Sequence, residues 1–158
     1  MAIVFTRVDD RLIHGQVVQA WLPQLNVDEV IIPCTKTNRE NLNQGLLRLS
    51  LPYEYELSIL DVEKVANHVA KFPKKRFFLL LSCLQDLADT ITNAVPIRAV
   101  NIGGMHFKEG AQKLAEHVFL DTQDRKLLKL VHDLGITIET RAVPNDTTLS
   151  VSEVLDEH

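Results

Sequence analysis

Phe77-Phe78-Leu79-Leu80-Leu81 is an unbroken apolar run between Lys74-Lys75-Arg76 and Ser82. A strand with one face in water alternates apolar and polar side chains. A strand that is apolar at every position needs cover on both faces, as a parallel strand has between two helix layers. Outward from this run, short apolar segments alternate with stretches of helical spacing. The strand candidates are Ile3–Val8, Glu29–Ile32, Glu54–Ile59, Arg76–Ser82, Arg98–Ile102, His117–Leu120 and Thr137–Ala142. The alternation predicts an α/β fold in one domain, residues 1–158: a mostly parallel, twisted sheet of about seven strands with helices on both faces.

The intervening stretches carry start and stop signals. Thr37-Asn38-Arg39-Glu40 matches a capping box that opens a helix through Leu46 and Leu47, and Ser82-Cys83-Leu84-Gln85 matches another. Asp61 is a cap for a helix with the stripe Val62, Val65, Ala66 and Val69. Asp121 or Thr122 caps one that buries Leu127, Leu128, Val131 and Leu134, with Gly135 as its C′ residue. These stripes face a core and imply no cofactor. After Pro144 the chain is polar until Val151–Leu155, which reads as a final helical turn against the body.

Composition narrows the function classes. A hydrophobic fraction of 46%, a charged fraction of 24% and a net charge of −4 describe a soluble globular protein and disfavour a non-specific nucleic-acid binder. Cys34 and Cys83 stand far apart without a CxxC or Cys/His cluster, so they read as reduced, buried thiols of a cytosolic protein. The first residues run straight into Ala2-Ile3-Val4-Phe5, a strand and not a signal peptide, and no apolar run is long enough to span a bilayer.

The chemistry concentrates in Arg7-Val8-Asp9-Asp10-Arg11-Leu12-Ile13-His14-Gly15-Gln16-Val17. This loop follows the first strand and precedes a helical stretch holding Val17, Val18, Trp21 and Leu22. Ligands of open α/β sheets bind outside the carboxyl ends of the strands. A phosphoryl-carrying histidine needs a neutral, accessible imidazole with one free nitrogen. Its phosphoryl charge needs donors. Amides of a helix N-terminus, a glycine that lets the backbone approach and the planar fork of an arginine supply them. His14, Gly15, Gln16 and Arg11 meet that list, and Asp9 or Asp10 could orient Arg11 or the imidazole. A surface hydrogen-bond cluster is the plainer reading of the same residues. A metal reading would use Asp10, His14 and His106, but their spacing matches no recognised ligand set.

The same stretch, with Trp21 after it, closely resembles the N-terminal signature of the mannose/fructose/sorbose-family IIB components of the bacterial sugar phosphotransferase system. Val100-Asn101-Ile102-Gly103-Gly104-Met105-His106-Phe107 resembles the family's second motif. Val118-Phe119-Leu120-Asp121 before a helix and Gly135-Ile136 before a last strand also fit, so the likeness covers nearly the whole chain. It implies a mostly parallel sheet flanked by helices and a phosphohistidine at His14, supported by Arg11. It implies a IIA donor, and as acceptor a sugar held by membrane IIC and IID components, with this chain in the cytoplasm at the membrane complex. The base that activates the sugar is expected on the membrane partner. No metal or other cofactor is expected, and a homo-oligomer is compatible with the sequence.

Beside the loop, Asp10, Gly15 and Gln16 are expected to support His14. Gly103 and Gly104 are expected in a positive-φ turn and, with His106, as a wall of the site. Trp21 reads as a core anchor, and His68, His117 and His132 as structural or solvated. Ile13, Met105 and Phe107 are candidates for an apolar contact ring, with an inward, core orientation as the alternative for Ile13. One departure stands out. Similar proteins often carry an acidic pair after the second strand, whereas this chain has Pro33-Cys34-Thr35-Lys36-Thr37-Asn38. The rival functions are a regulatory phosphohistidine module without sugar transport and a metal-dependent hydrolase.

Overall fold

The computed structural model describes residues 2–147 and 151. Its strands are β1 (Ile3–Asp9), β2 (Glu29–Cys34), β3 (Glu56–Asp61), β4 (Phe77–Leu81), β5 (Ala99–Gly104), β6 (Gln112–Ala115), β7 (Val118–Leu120) and β8 (Thr137–Glu139). Six of them form one sheet in the order β3-β2-β4-β1-β5-β8, and every pairing in it is parallel. The apolar run is β4, in the interior of the sheet with all five side chains at 0% exposure. The pleat divides it: Phe77, Leu79 and Leu81 enter one core, Phe78 and Leu80 the other.

The helices account for the two cores. Val65 and Val69 of α4 (Val65–Lys71), Leu84 and Leu87 of α5 (Leu84–Thr92) and Leu128 and Val131 of α6 (Thr122–Asp133) cover the first face. The second face receives Val17 from a π-helical turn (Val17–Trp21), Leu22 from α1 (Leu22–Leu25) and Leu47 from α3 (Gln44–Ser50). The chain therefore steps from β1 to β2 and β3 over one face. It returns through β4, β5 and β8 over the other. The connections leaving β1 and β5 diverge, which opens a crevice at the carboxyl ends of these two neighbours.

Several local expectations shift. His117–Leu120 yields β7, which pairs antiparallel with β6 outside the main sheet. The helix expected from Thr37 is two: α2 (Lys36–Glu40), capped by Thr35, and α3, capped by Asn43. Asp61 gives its helix no side-chain cap, and α5 is capped at Cys83, without a side-chain bond, instead of at Ser82 as the box predicts. Asp121 does, in a reciprocal box with Asp124, and Gly135 closes α6 at φ 83°. β8 stops at Glu139 because the carbonyls beyond it accept from side chains: Arg141 O from Arg7 and Asn101, and Ala142 O from Trp21 Nε1. Val151 is buried in the first core; the remainder of the expected Val151–Leu155 turn lies outside the described residues.

Candidate functional site

Arg7 and Asp9 lie two residues apart on β1, so both side chains take the same face. Both are fully buried, joined by an Arg7 Nη2 to Asp9 Oδ2 bond of 2.9 Å. Arg7 Nη1 also donates to Asn101 Oδ1 at 2.7 Å and to Arg141 O at 3.0 Å. The guanidinium lies 5.4 Å from the Trp21 ring, itself stacked on Phe5 at 4.5 Å. Trp21, 3% exposed, is the core anchor that its size suggests.

Glycine makes room for this arginine. The register between β1 and β5 slips so that Val8 faces Ile102 and Asp9 faces Gly104, leaving Gly103 as the bulged residue. A Cβ on Gly103 would fall 1.9 Å from Arg7 Cζ, and one on Gly104 would meet Asp9 Oδ1 at 3.0 Å and Arg11 Nη2 at 3.1 Å. Neither glycine has positive φ; both are strand residues, needed for close approach and not for the turn expected of them.

Beyond Asp9 the chain turns through Leu12, whose φ of 58° is left-handed. Such a residue costs roughly 1–3 kcal/mol. The Leu12 N–H to Asp9 O bond of 2.9 Å and burial of the Leu12 side chain hold it there. Helical conformation then runs over residues 15–25, and His14 O accepts from Val18 N–H at 3.0 Å. His14 thus sits at the mouth of a helix N-terminus, beside exposed Gly15.

The imidazole is fixed from both sides. His14 Nε2 lies 2.9 Å from Asp9 Oδ2, and the Gln16 N–H points at Nδ1 from 3.4 Å. Burial pushes the Asp9 carboxyl up, but bonds from His14 and Arg11 and the charge of Arg7 outweigh it, leaving Asp9 well below the usual carboxylate range. An ionised Asp9 only accepts, so Nε2 carries the proton and Nδ1 keeps the lone pair, which accepts the long Gln16 N–H bond. Arg11 closes the ring. Its N–H and Nε donate to Asp9 Oδ1 at 3.1 and 3.0 Å, and its Nη2 donates to Asp9 Oδ2 and Gln16 Oε1, each at 3.0 Å. One buried carboxylate therefore holds two guanidiniums and the imidazole, a local excess of positive charge suited to an anion. The His14 side chain is 17% exposed, within reach of a partner but unable to swing freely.

The sequence leaves Asp9 and Asp10 as alternatives for orienting Arg11 or the imidazole and counts Asp10 among the supporting residues; the structure sets Asp9 against both Arg11 and His14. Asp10 turns away and pairs with His106. Asp10, His14 and His106 therefore fall into two separate pairs, and among the described residues no cluster of three or more His, Cys, Asp or Glu could hold a metal. Ile13 and Met105 point into the cores, while Phe107 is 66% exposed. In α2, which follows β2, Asn38 Nδ2 donates to Asp86 Oδ1 at 2.9 Å. Burial raises the Asp86 carboxyl and the Cys34 and Cys83 thiols, both free. Arg7 and Asn101 were missed as site residues. The available signal was a charged side chain in phase with Asp9 on a buried strand.

Three comparisons set the whole chain beside known proteins. A family model described as PTS system sorbose subfamily IIB component matches residues 3–158. The sorbose-specific EIIB component of Lacticaseibacillus casei is 32% identical over 160 residues, covering 99% of this chain and 97% of its own length. The mannose-specific EIIAB component of Escherichia coli (strain K12) is 30% identical over 157 residues, covering 98% of this chain and 49% of that longer protein. Among solved structures, the IIBSor domain of the sorbose permease from Klebsiella pneumoniae matches with a TM-score of 0.88 at 29% identity, over 99% of this chain and 98% of that one.

Proposed function

The chain belongs to the sorbose-subfamily IIB components of the sugar phosphotransferase system, and we propose that within it His14 accepts a phosphoryl group from a IIA phosphohistidine and yields it to a sugar held by membrane IIC and IID components. One observation carries the reading: Asp9 holds the imidazole at Nε2, which leaves the lone pair on Nδ1, met by a long 3.4 Å bond from the Gln16 N–H, beside helix amides and Arg11. The name EIIAB of the Escherichia coli relative, twice the length matched here, supports a IIA donor.

In the first transfer the Nδ1 lone pair attacks phosphorus in line, and the P–N bond to the donor imidazole breaks with its electrons returning to that ring. The Nε2 proton stays on His14, so the phosphorylated ring is cationic, and Asp9 at 2.9 Å stabilises that charge. The same cation makes the ring a good leaving group in the second transfer. Phosphoryl transfer needs positioning and charge stabilisation more than covalent help. Arg11 and the amides of Gly15 and Gln16 supply donors for the phosphoryl oxygens. Gly103 and Gly104 form the wall that lets Arg7 and Asp9 close beneath them. The sequence reading of a single domain over residues 1–158, working at the cytoplasmic face of the transport complex, fits this role; no helix among the described residues is long and apolar enough to cross a membrane.

The test incubates the chain with phosphorylated IIA, then with vesicles bearing IIC, IID and a sugar; mannose, fructose and sorbose are the first choices because relatives carry those names. Label should pass through His14 to the sugar, and His14→Ala should block both steps. Label that reaches His14 but no sugar would favour the regulatory module, a reading kept alive by the missing carboxylates after β2.

A further inference from the structure

Asp10 and His106 form a second pair on the same rim. Asp10 is pinned by its N–H to Gly104 O at 3.1 Å, and His106 follows Met105, whose N–H bonds His117 O, just before β7, at 2.8 Å and whose O accepts from Phe119 N–H on β7 at 3.0 Å. Asp10 Oδ2 accepts from the His106 N–H and Oδ1 lies against His106 Nδ1, both at 2.7 Å. A carboxylate so placed accepts the Nδ1 proton, which leaves the lone pair on Nε2. The ring is 71% exposed. A carboxylate against one nitrogen of a largely exposed imidazole makes the arrangement of a general base.

His106 lines a cleft of about 270 Å³ together with Arg11, Phe107, Glu116 and Phe119, among others. Phe107 and Phe119 meet edge to face at 5.6 Å, and Phe107 offers its open side to solvent. An aromatic wall suits the C–H face of a sugar ring, and the Glu116 carboxylate suits hydroxyl donors. Arg11 joins this cleft to the phosphoryl site, since the same side chain contacts Asp9 and Gln16. A neutral His106 has no proton on Nε2 to offer a phosphate oxygen, but it can take one from a hydroxyl.

We propose that His106, oriented by Asp10, is the general base of the second transfer, and that this cleft is where the acceptor sugar meets the chain. The proposal rests on the reading of His14 as phosphoryl donor. The sugar oxygen attacks phosphorus, the bond from phosphorus to His14 Nδ1 breaks with its electrons returning to the imidazole, and the hydroxyl proton passes to His106 Nε2, which later releases it to water. The sequence reading put this base on the membrane partner; the dyad moves it to this chain.

The experiment separates the two transfers. His106→Ala and His106→Gln chains are loaded from phosphorylated IIA and then mixed with vesicles bearing IIC and IID, with mannose, fructose or sorbose supplied singly. Loading of His14 should stay within about twofold of the parent. Sugar phosphorylation should fall by about 10²-fold. Free imidazole should restore part of the rate of the Ala chain, which a structural contact would not allow. Undiminished sugar transfer overturns the proposal, as does a loss that imidazole leaves unchanged or a parallel loss of His14 loading. Absence of label on His14 in the unaltered chain removes the carrier reading and this one with it.

Discussion

Replacing Gly103 by alanine strikes the packing that aligns His14 without touching His14. The new Cβ would lie 1.9, 2.1 and 2.4 Å from Cζ, Nη2 and Nε of Arg7. Carbon contacts settle near 3.5–4.0 Å, so the guanidinium must retreat by roughly 1.5 Å. It has no free space, being fully buried among Asp9, Asn101, the Arg141 carbonyl and Trp21. Retreat breaks the bond to Asp9 inside the core. Breaking a buried pair costs about 3–5 kcal/mol. For a chain of this size that lowers Tm by roughly 6–20 °C. Urea unfolding of the parent, Gly103→Ala, Arg7→Met and the double variant reads the cost as a cycle. With Met at position 7, a flexible thioether faces the new methyl, and alanine should add less than about 1 kcal/mol. The two substitutions should therefore be coupled by about 2–4 kcal/mol. A Gly103→Ala chain within about 1 kcal/mol of the parent, or costs that simply add, would refute the argument.

Two further outcomes follow from the same cluster. The folded-state pKa of Asp9 lies below its unfolded value, so its ionised form stabilises the fold; that contribution is fully present above about pH 4 and is lost as pH falls toward the folded value. The stability gap between the parent and Asp9→Asn should narrow below about pH 4, and a gap that stays constant down to about pH 2 would contradict this. Arg11→Ala should slow loading of His14 by about 10²-fold while lowering stability by about 1 kcal/mol, because Arg11 is one-third exposed and Asp9 keeps Arg7 and His14. Arg11→Lys should recover little, having lost the fork that spans Asp9 and Gln16, and a normal loading rate in Arg11→Ala would make Arg11 a bystander.

What could be read from the sequence follows what is local. β4 announced itself because a strand buried on both faces has no polar position to hide it. The Asp121 cap and Gly135 stop were visible because both act within a few residues. β6 was not, since Gln112 and Lys113 are exposed and Gln112–Ala115 has no apolar phase to follow. His14 and Arg11 stand out in the sequence through the motif, whereas the choice between Asp9 and Asp10 turns on strand phase. Asp9 shares the face of Arg7, and Asp10, beyond the end of β1, turns to His106. The need for glycine at 103 comes from a side chain nearly a hundred residues away across the sheet, which no local pattern records.

The central claim is that His14 carries the phosphoryl group on Nδ1 while Nε2 stays bonded to Asp9. The most direct measurement is nitrogen-resolved NMR of histidine-labelled chain after loading from phosphorylated IIA, with His14→Ala as the control. The account requires one acid-labile phosphohistidine, linked through Nδ1 of His14 and missing from the control. A phosphoryl group on Nε2, or undiminished labelling of the His14→Ala chain, would contradict it.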